Sequence, residues 1–275
     1  MSQRLPAAAV LLLAAAVLVG SCASALKPLD PSSDLGRVDP ERVDPAAADR
    51  LAAEAEDLFS RRPELTPVER AERLWLESAI ASPTSARGII GAVRTKVWLA
   101  HHLEDRARRR IVARSAVETA QWCGRREPNN PACHYWLALA LGVQADAHRA
   151  TAVDGLRHMV RQLRRVIESA PELEQAGPHR ILARVLVRAP GWPTGPGDPD
   201  AGLEHAKLAV QMFPQYPPNL LALAAAYREV DEIEASRARF QEALEMARQW
   251  QQRGDPDAGD WIQEANQGLQ RVPAM

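Results

Sequence analysis

Two short amphipathic helices folded back on each other are predicted by residues 217–247, and this stretch constrains the fold more than any other. The apolar residues of its first half recur at the spacing of one helix face: Leu220, Leu223, Ala224 and Tyr227. After a break at Val230–Asp231, the second half repeats the pattern with Ile233, Ser236, Phe240, Ala243 and Ala247. A single hairpin of this kind cannot bury its apolar face, so stacked neighbours are expected.

The same stretch resembles one tetratricopeptide repeat (TPR). The TPR positions for Leu, Tyr, Phe and the second small residue hold Leu223, Tyr227, Phe240 and Ala243, with Ala224 for the usual Gly and Ser236 for the first Ala. Leu137 and Leu182 begin corresponding repeats, and their spacings exceed the 34 residues of an unmodified TPR. Residues 47–275 are therefore predicted to form an all-α, TPR-like α-solenoid of expanded helical hairpins, closed by a helix over 257–270.

The N-terminus reads as an export signal. Arg4 precedes an unbroken apolar run over 7–19, which is too short to span a membrane and has the proportions of a secretory signal. Small residues lead into Cys22, as in the bacterial lipobox, so we expect residues 1–21 to be a signal peptide and Cys22 to be acylated. The alternative is a plain signal peptide with an accidental cysteine.

A Pro- and Asp-rich stretch without apolar periodicity follows, and residues 22–46 are predicted to be the lipidated cysteine and a disordered tether. Such a coil of about 25 residues has an r.m.s. span of roughly 25–30 Å. Ala23 and Ser24 offer no Asp after the cysteine, which by resemblance to enterobacterial lipoproteins implies the periplasmic face of the outer membrane.

The lipobox and three internal motifs resemble the lipoprotein T components of tripartite ATP-independent periplasmic (TRAP) transporters and their TPR lipoprotein relatives. The motifs are CHYWLALALG at 133–142, GPHRILARVL at 177–186 and APGWP at 189–193. These motifs are mostly structural, and no ligand residues of the family can be placed on this chain. The resemblance implies a transport accessory that docks a solute-binding protein and contacts small ligands.

Cys123 and Cys133 lie at the end of one predicted helix and the start of the next. In the oxidising compartment that an export signal implies, paired thiols tend to form disulfides. We therefore expect a Cys123–Cys133 bridge; two buried small residues are the alternative.

Three arginines form a candidate binding row. Arg180, Arg184 and Arg188 are four residues apart, which aligns their guanidiniums on one helix face. By the TPR resemblance these positions look into the concave groove, where they would capture the carboxylates of an acidic partner segment. Acidic side chains of an adjacent helix, compensating the three charges, are the alternative.

Other functional classes find little support in the sequence. The seven histidines lack metal-ligand spacing, and no nucleophile elbow, phosphate loop or dinucleotide fingerprint is present, so we expect no metal, no cofactor and no enzymatic activity. Trp75, Trp98 and Trp136 are expected in the core. Residues 84–165 hold 15 Lys and Arg against 6 Asp and Glu, a net +9, which suits anionic headgroups, an acidic partner or merely solvated helix faces. The export signal argues against nucleic acid.

Two functions thus remain open. One is a membrane-anchored periplasmic scaffold that offers its concave face to a protein or peptide, and the other is the TRAP-type accessory. A polar concave face with no cavity would favour the first, and an apolar pore or groove the second.

Overall fold

A computed structural model describes residues 24–273, and the helices in this part of the chain are connected mostly by short turns. They are, in chain order, α1 Pro45–Phe59, α2 Leu65–Ala81, α3 Arg87–His102, α4 Arg106–Arg126, α5 Pro131–Ala147, α6 Ala152–Ser169, α7 Leu173–Arg188, α8 Pro199–Met212, α9 Pro217–Glu229, α10 Ile233–Gln252 and α11 Ala258–Arg271. Within residues 24–273, none of the helices combines the length and the apolar character that a bilayer crossing requires.

The helix starts follow from local chemistry. The side chains of Asp44, Asp105, Asn130 and Asp198 each accept a hydrogen bond from a backbone N–H of the first helical turn. Proline occupies the opening turn of α1, α5, α8 and α9, where its missing N–H costs nothing. The predicted break at Val230–Asp231 is present, with Asp231 in the left-handed conformation at φ 61°.

Consecutive helices pair as hairpins, and the hairpins stack. The pairs are α1/α2, α3/α4, α5/α6, α7/α8 and α9/α10, and α11 packs on α10. Odd-numbered helices also contact one another, α1 with α3, α3 with α5 and α7 with α9, whereas the α5/α6 and α7/α8 hairpins meet through α6 and α7. The corresponding leucines of the repeats are all buried: Leu137, Leu182 and Leu223. Each hairpin therefore buries its apolar face against its neighbours, as a repeat unit must.

The closing helix α11 is fixed to α10 by close apolar contact. Phe240 lies directly over Gly268, where a Cβ would come within 2.2 Å of a ring atom. Trp261 adds edge-to-face contacts with Tyr216 and Trp250, with ring centroids 5.6 and 5.7 Å away. Only a residue without a side chain permits this approach, so Gly268 sets how deeply α11 docks.

The segment expected to be a disordered tether lies against the solenoid instead. Ala25 is buried and its N–H donates to Asp154 Oδ2 at 2.8 Å. Gln121 donates to the carbonyl of Lys27, and Arg126 to that of Leu35, so α4 holds the segment at two points. These bonds use backbone groups that every residue carries, which explains why a Pro- and Asp-rich composition does not reveal them. The predicted domain boundaries themselves stay predictions.

Candidate interaction surface

Side chains of three odd-numbered helices meet on one side of the solenoid. His101 on α3 lies close enough to Asp146 on α5, and to Arg184 and Arg188 on α7, for their charges to act on it. His101 is exposed to solvent on one side, and partial desolvation by the surrounding protein lowers its pKa; Asp146 acts to raise that pKa, and the neighbouring cations act to lower it. We call this surface, defined by His101, His102, Asp146, Arg184 and Arg188, the inner face. It is polar.

Helix α11 reaches across to this layer through a buried arginine. Arg62, in the turn after α1, donates from Nε to Asp257 Oδ1 at 2.8 Å and from NH2 to Asp257 Oδ2 at 3.0 Å. A third bond runs from Arg62 NH1 to the carbonyl of Phe59, whose ring lies 3.8 Å from the guanidinium carbon. The Arg62 side chain is 10% exposed. The two parallel bonds fix its orientation as well as its charge.

His102 makes the second contact with α11. Its Nε2 lies 2.9 Å from Asp260 Oδ2, its Nδ1 lies 2.8 Å from the carbonyl oxygen of Trp98, and its ring stacks on the Trp98 indole at 3.9 Å. Burial lowers the pKa of His102, but these two acceptors outweigh burial and raise it above the ordinary value. Both ring nitrogens face acceptors, so only the imidazolium can donate to both.

Arg184 makes the third contact. Its NH2 and NH1 donate to the two carboxylate oxygens of Glu264 on α11, at 2.7 and 3.4 Å. Asp257, Asp260 and Glu264 are three and four residues apart and therefore lie on one face of α11. One acidic face of α11 thus pairs with cationic groups from three different hairpins. We call these three contacts the clasp.

Arg180 has a structural role that excludes it from the predicted binding row. Its side chain is buried, with NH1 donating to the carbonyls of Glu174 and Gln175 and to Asn219 Oδ1 at 3.0–3.1 Å. Its guanidinium also lies over the Tyr216 ring at 5.1 Å. Residues Glu174–Ala176 have left-handed dihedrals, which takes the Glu174 and Gln175 carbonyls out of the regular helical bonding pattern, so they need another donor. Arg180 supplies it and is closed to an external partner.

The remaining arginines of the row have different surroundings. Arg184 is paired with Glu264, which is the compensation by a neighbouring acidic helix considered as the alternative, and Arg188 is exposed. The structure therefore does not present the three guanidiniums together to solvent. It places Arg184 and Arg188 on the inner face and Arg180 beneath it.

Cys123 and Cys133 form a disulfide, with their Cα atoms 5.3 Å apart, and join the end of α4 to the start of α5. Both are buried. Cys22, the expected acylation site, lies outside the described residues.

In the described residues, the fold does not bring metal-ligating side chains together into a site. Within residues 24–273, no group of three or more His, Cys, Asp or Glu could hold an ion. His179 and His205 come together, with their Nδ1 atoms 2.9 Å apart, and burial lowers the pKa of both. Trp75, Trp98 and Trp136 lie in the core as expected, whereas Trp192 is 89% exposed.

The clasp was not predicted from the sequence. Arg62 and His102 are 195 and 158 residues away from their partners, and nothing local marks either as part of a pair. The available signal was the spacing of Asp257, Asp260 and Glu264, which a helix at the end of the stack places on one face.

No protein-family model matches the sequence, and no curated protein matches it either. Among solved structures, the chain is similar to TTC0263, a thermophilic TPR protein of Thermus thermophilus, with a TM-score of 0.61 and 17% identity over 81% of this chain and 99% of that one. It is also similar to the MamA protein, with a TM-score of 0.47 and 13% identity over 74% of this chain and 92% of that one. The first likeness confirms the predicted fold class, an all-α TPR-like solenoid.

Proposed function

We propose that this chain is a scaffold of the bacterial cell envelope that binds an acidic segment of a partner protein on its inner face. Acyl chains on Cys22 hold it in the periplasm, at the outer membrane. The export signal and lipobox support the location, and the TPR-like fold supports a protein partner because stacked hairpins of this type offer extended concave surfaces for binding. The polar inner face favours the scaffold over the TRAP-type accessory.

The clasp carries this proposal. His102 and Arg184 of the inner face, together with Arg62 in the turn after α1, each hold a carboxylate of α11 or of its N-cap, so this surface already accepts an acidic helix. A partner segment with carboxylates at similar spacing would find the same donors. Such a segment gains charge-assisted bonds to Arg62, His102 and Arg184 as α11 gives them up.

Exchange at the clasp leaves the core intact. In the described part of the chain, no buried apolar cluster contains residues of both α3 and α11. Ion pairs of Arg62 and His102 connect the first two hairpins to α11, whereas its apolar side packs on α9 and α10. Opening therefore exposes polar groups that water can solvate.

Site-specific photo-crosslinking in native envelopes tests the proposal. A photoreactive residue replaces Asp146, which is exposed on the inner face and is not one of the proposed donors. A matched probe replaces Leu208, which is 40% exposed on α8. We expect a discrete protein adduct from position 146 that disappears when Arg62→Gln and His102→Gln are added. Equal adducts from both positions, or an adduct that survives the two substitutions, would rule out recognition by the inner face.

A further inference from the structure

A second site lies where the N-terminal segment crosses the start of α4 and the end of α5. A cavity of about 200 Å³ opens there, lined by Ser24, Lys27, Arg110, Arg114, Gln144, Ala147, His148 and Thr151. One water molecule accounts for about 30 Å³ of liquid, so the space exceeds what a single structural water needs.

The lining carries positive charge without a counterion. Lys27, Arg110 and Arg114 contribute three cationic groups, and the lining includes no carboxylate. Across residues 24–273, none of these three cations takes part in an ion pair. Asp154, an acid that touches the N-terminal segment, accepts the backbone N–H of Ala25 with Oδ2. Uncompensated cations around a cavity indicate an anionic ligand.

Two buried polar atoms of this lining have no hydrogen-bond partner. Gln144 is 7% exposed and its Oε1 is unpaired, and Nδ1 of His148 is buried and unpaired as well. Leaving such groups unsatisfied destabilises a fold, and native structures keep few of them. Rotation of the Gln144 amide by half a turn exchanges its oxygen and its NH2, so it can donate to a ligand, and the Nδ1–H tautomer of His148 can do the same.

We propose that this cavity binds the phosphate group of a phospholipid headgroup. Two guanidiniums, an ammonium, an amide and an imidazole supply the several donors and the positive charge that phosphate oxygens prefer. The identity of the phosphate's source rests on the proposed membrane anchoring, since Ser24 in the lining follows Cys22 by two residues. Phosphate binding itself does not depend on that anchoring.

An exposed tryptophan lies near the same side of the molecule. Trp192 belongs to the 189–198 loop, whose Pro193 carbonyl accepts a bond from Arg157 on α6. Arg157 is three residues from Asp154, which holds Ala25, so both attachments use one face of α6. Tryptophan favours the interface between water and lipid, where its ring and its N–H are both accommodated. A bilayer that supplies the headgroup would therefore also receive the Trp192 ring.

The experiment uses the purified Cys22→Ser chain, so that no acyl chain contributes to binding. Its partition onto phosphatidylglycerol vesicles is compared with that onto phosphatidylcholine vesicles, and inorganic phosphate is titrated separately by calorimetry. Replacing Lys27, Arg110 and Arg114 by Gln should weaken binding to phosphatidylglycerol by roughly a hundredfold. The control replaces three exposed arginines elsewhere: Arg248 on α10, Arg253 between α10 and α11, and Arg271 on α11. This change removes the same charge and should change binding less than about threefold.

The substitution Gln144→Leu distinguishes specific phosphate binding in the cavity from general attraction by surface charge. The substitution keeps the net charge and removes an unpaired buried amide, so it should raise the melting temperature while weakening phosphate binding about tenfold. Trp192→Ser should weaken vesicle binding and leave the titration with inorganic phosphate unchanged.

Three results would overturn the proposal. Wild-type-like phosphate and vesicle binding by Gln144→Leu would mean a diffuse basic surface. Binding of inorganic phosphate without a preference for phosphatidylglycerol vesicles would assign the cavity to free phosphate. Binding of neither would remove the site, and it would leave the crosslinking test of the inner face unaffected.

Discussion

Arg180 shows how a single residue of the predicted binding row acquired a different role. The spacing correctly predicts that it aligns with two other arginines of α7. Its partners, however, come from a left-handed turn and from Asn219, which is 39 residues later. Asn219 is itself fully buried and donates to the carbonyls of Gln175, Ala209 and Phe213. The two side chains together satisfy carbonyls of the left-handed turn and of the end of α8.

Arg180→Gln should therefore destabilise the fold. We expect a loss of roughly 2–4 kcal/mol in the free energy of unfolding, because several buried acceptors lose their donor at once. Arg188→Gln, on the same helix but exposed, should change stability by less than about 0.5 kcal/mol. Urea denaturation followed by circular dichroism measures both. Similar midpoints for the two variants would contradict the structural role of Arg180, and would restore the row as a candidate site.

At the scale of elements, the apolar side of α11 packs on α10 and its polar side contacts α3. The polar contact between His102 and Asp260 depends on pH in a direction that the geometry fixes. The pKa of His102 is raised, so its contribution is fully present below its unfolded pKa of about 6.5 and is lost as pH rises through the raised value. The hydrogen bond from His102 lowers the pKa of Asp260, so that contribution is lost as pH falls through the lowered value.

The contact should thus be strongest in mildly acidic solution, between these two titrations. The parent chain and Asp260→Asn are compared by hydrogen exchange of α11 amides across this range. The protection difference between them should shrink as pH rises through the raised pKa of His102. Both chains contain His179 and His205, whose lowered pKa values act in the opposite direction, so the contribution of these histidines to the pH dependence cancels in the comparison. A protection difference that does not vary with pH would show that the imidazolium is not part of the clasp.

The disulfide is a second link between elements, from α4 to α5. The chain purified from its native host without reductant should show no titratable thiol at Cys123 or Cys133 after unfolding. Reduction of a bridge that closes so short a loop should lower stability by roughly 2–3 kcal/mol, because the unfolded chain regains conformational freedom. Cys123→Ala serves as the control, since reductant should then have no effect on the melting temperature. Two free thiols in the untreated protein would disprove the bridge.

At the scale of the whole molecule, the sequence was sufficient to predict the stack of hairpins. The closing helix predicted over 257–270 lies within about a residue of α11 at each end, and the predicted break at Val230–Asp231 separates α9 from α10. Contacts that depend on the curvature of the whole stack could not be predicted, and the pairing of Arg62 with Asp257 is one of them. The docking of residues 24–44 was also missed, because a composition rich in Pro and Asp reports only the absence of periodicity.

The anchor remains a prediction for the whole chain. Cys22→Ser should move the protein from the membrane fraction to the soluble periplasmic fraction, since a thioether-linked lipid can no longer form. Fractionation with immunoblotting detects the shift, and the Cys133→Ala chain, which keeps Cys22, should stay with the membrane. The membranes are first washed at high salt, which weakens electrostatic binding to headgroups, and retention of the cleaved Cys22→Ser chain after this wash would refute acylation at this residue.

The docked N-terminal segment changes what an anchor at Cys22 would do. A free coil would let the solenoid swing through roughly 25–30 Å. Ser24 follows Cys22 by two residues, and each residue spans at most about 3.6 Å. The chain between the acylated residue and Ser24 can therefore extend at most about 7 Å. The solenoid would then be held close to the bilayer at Ser24, which restricts the height of its inner face above the membrane. Partners that diffuse in the same plane would be sorted by whether their acidic segment reaches that height.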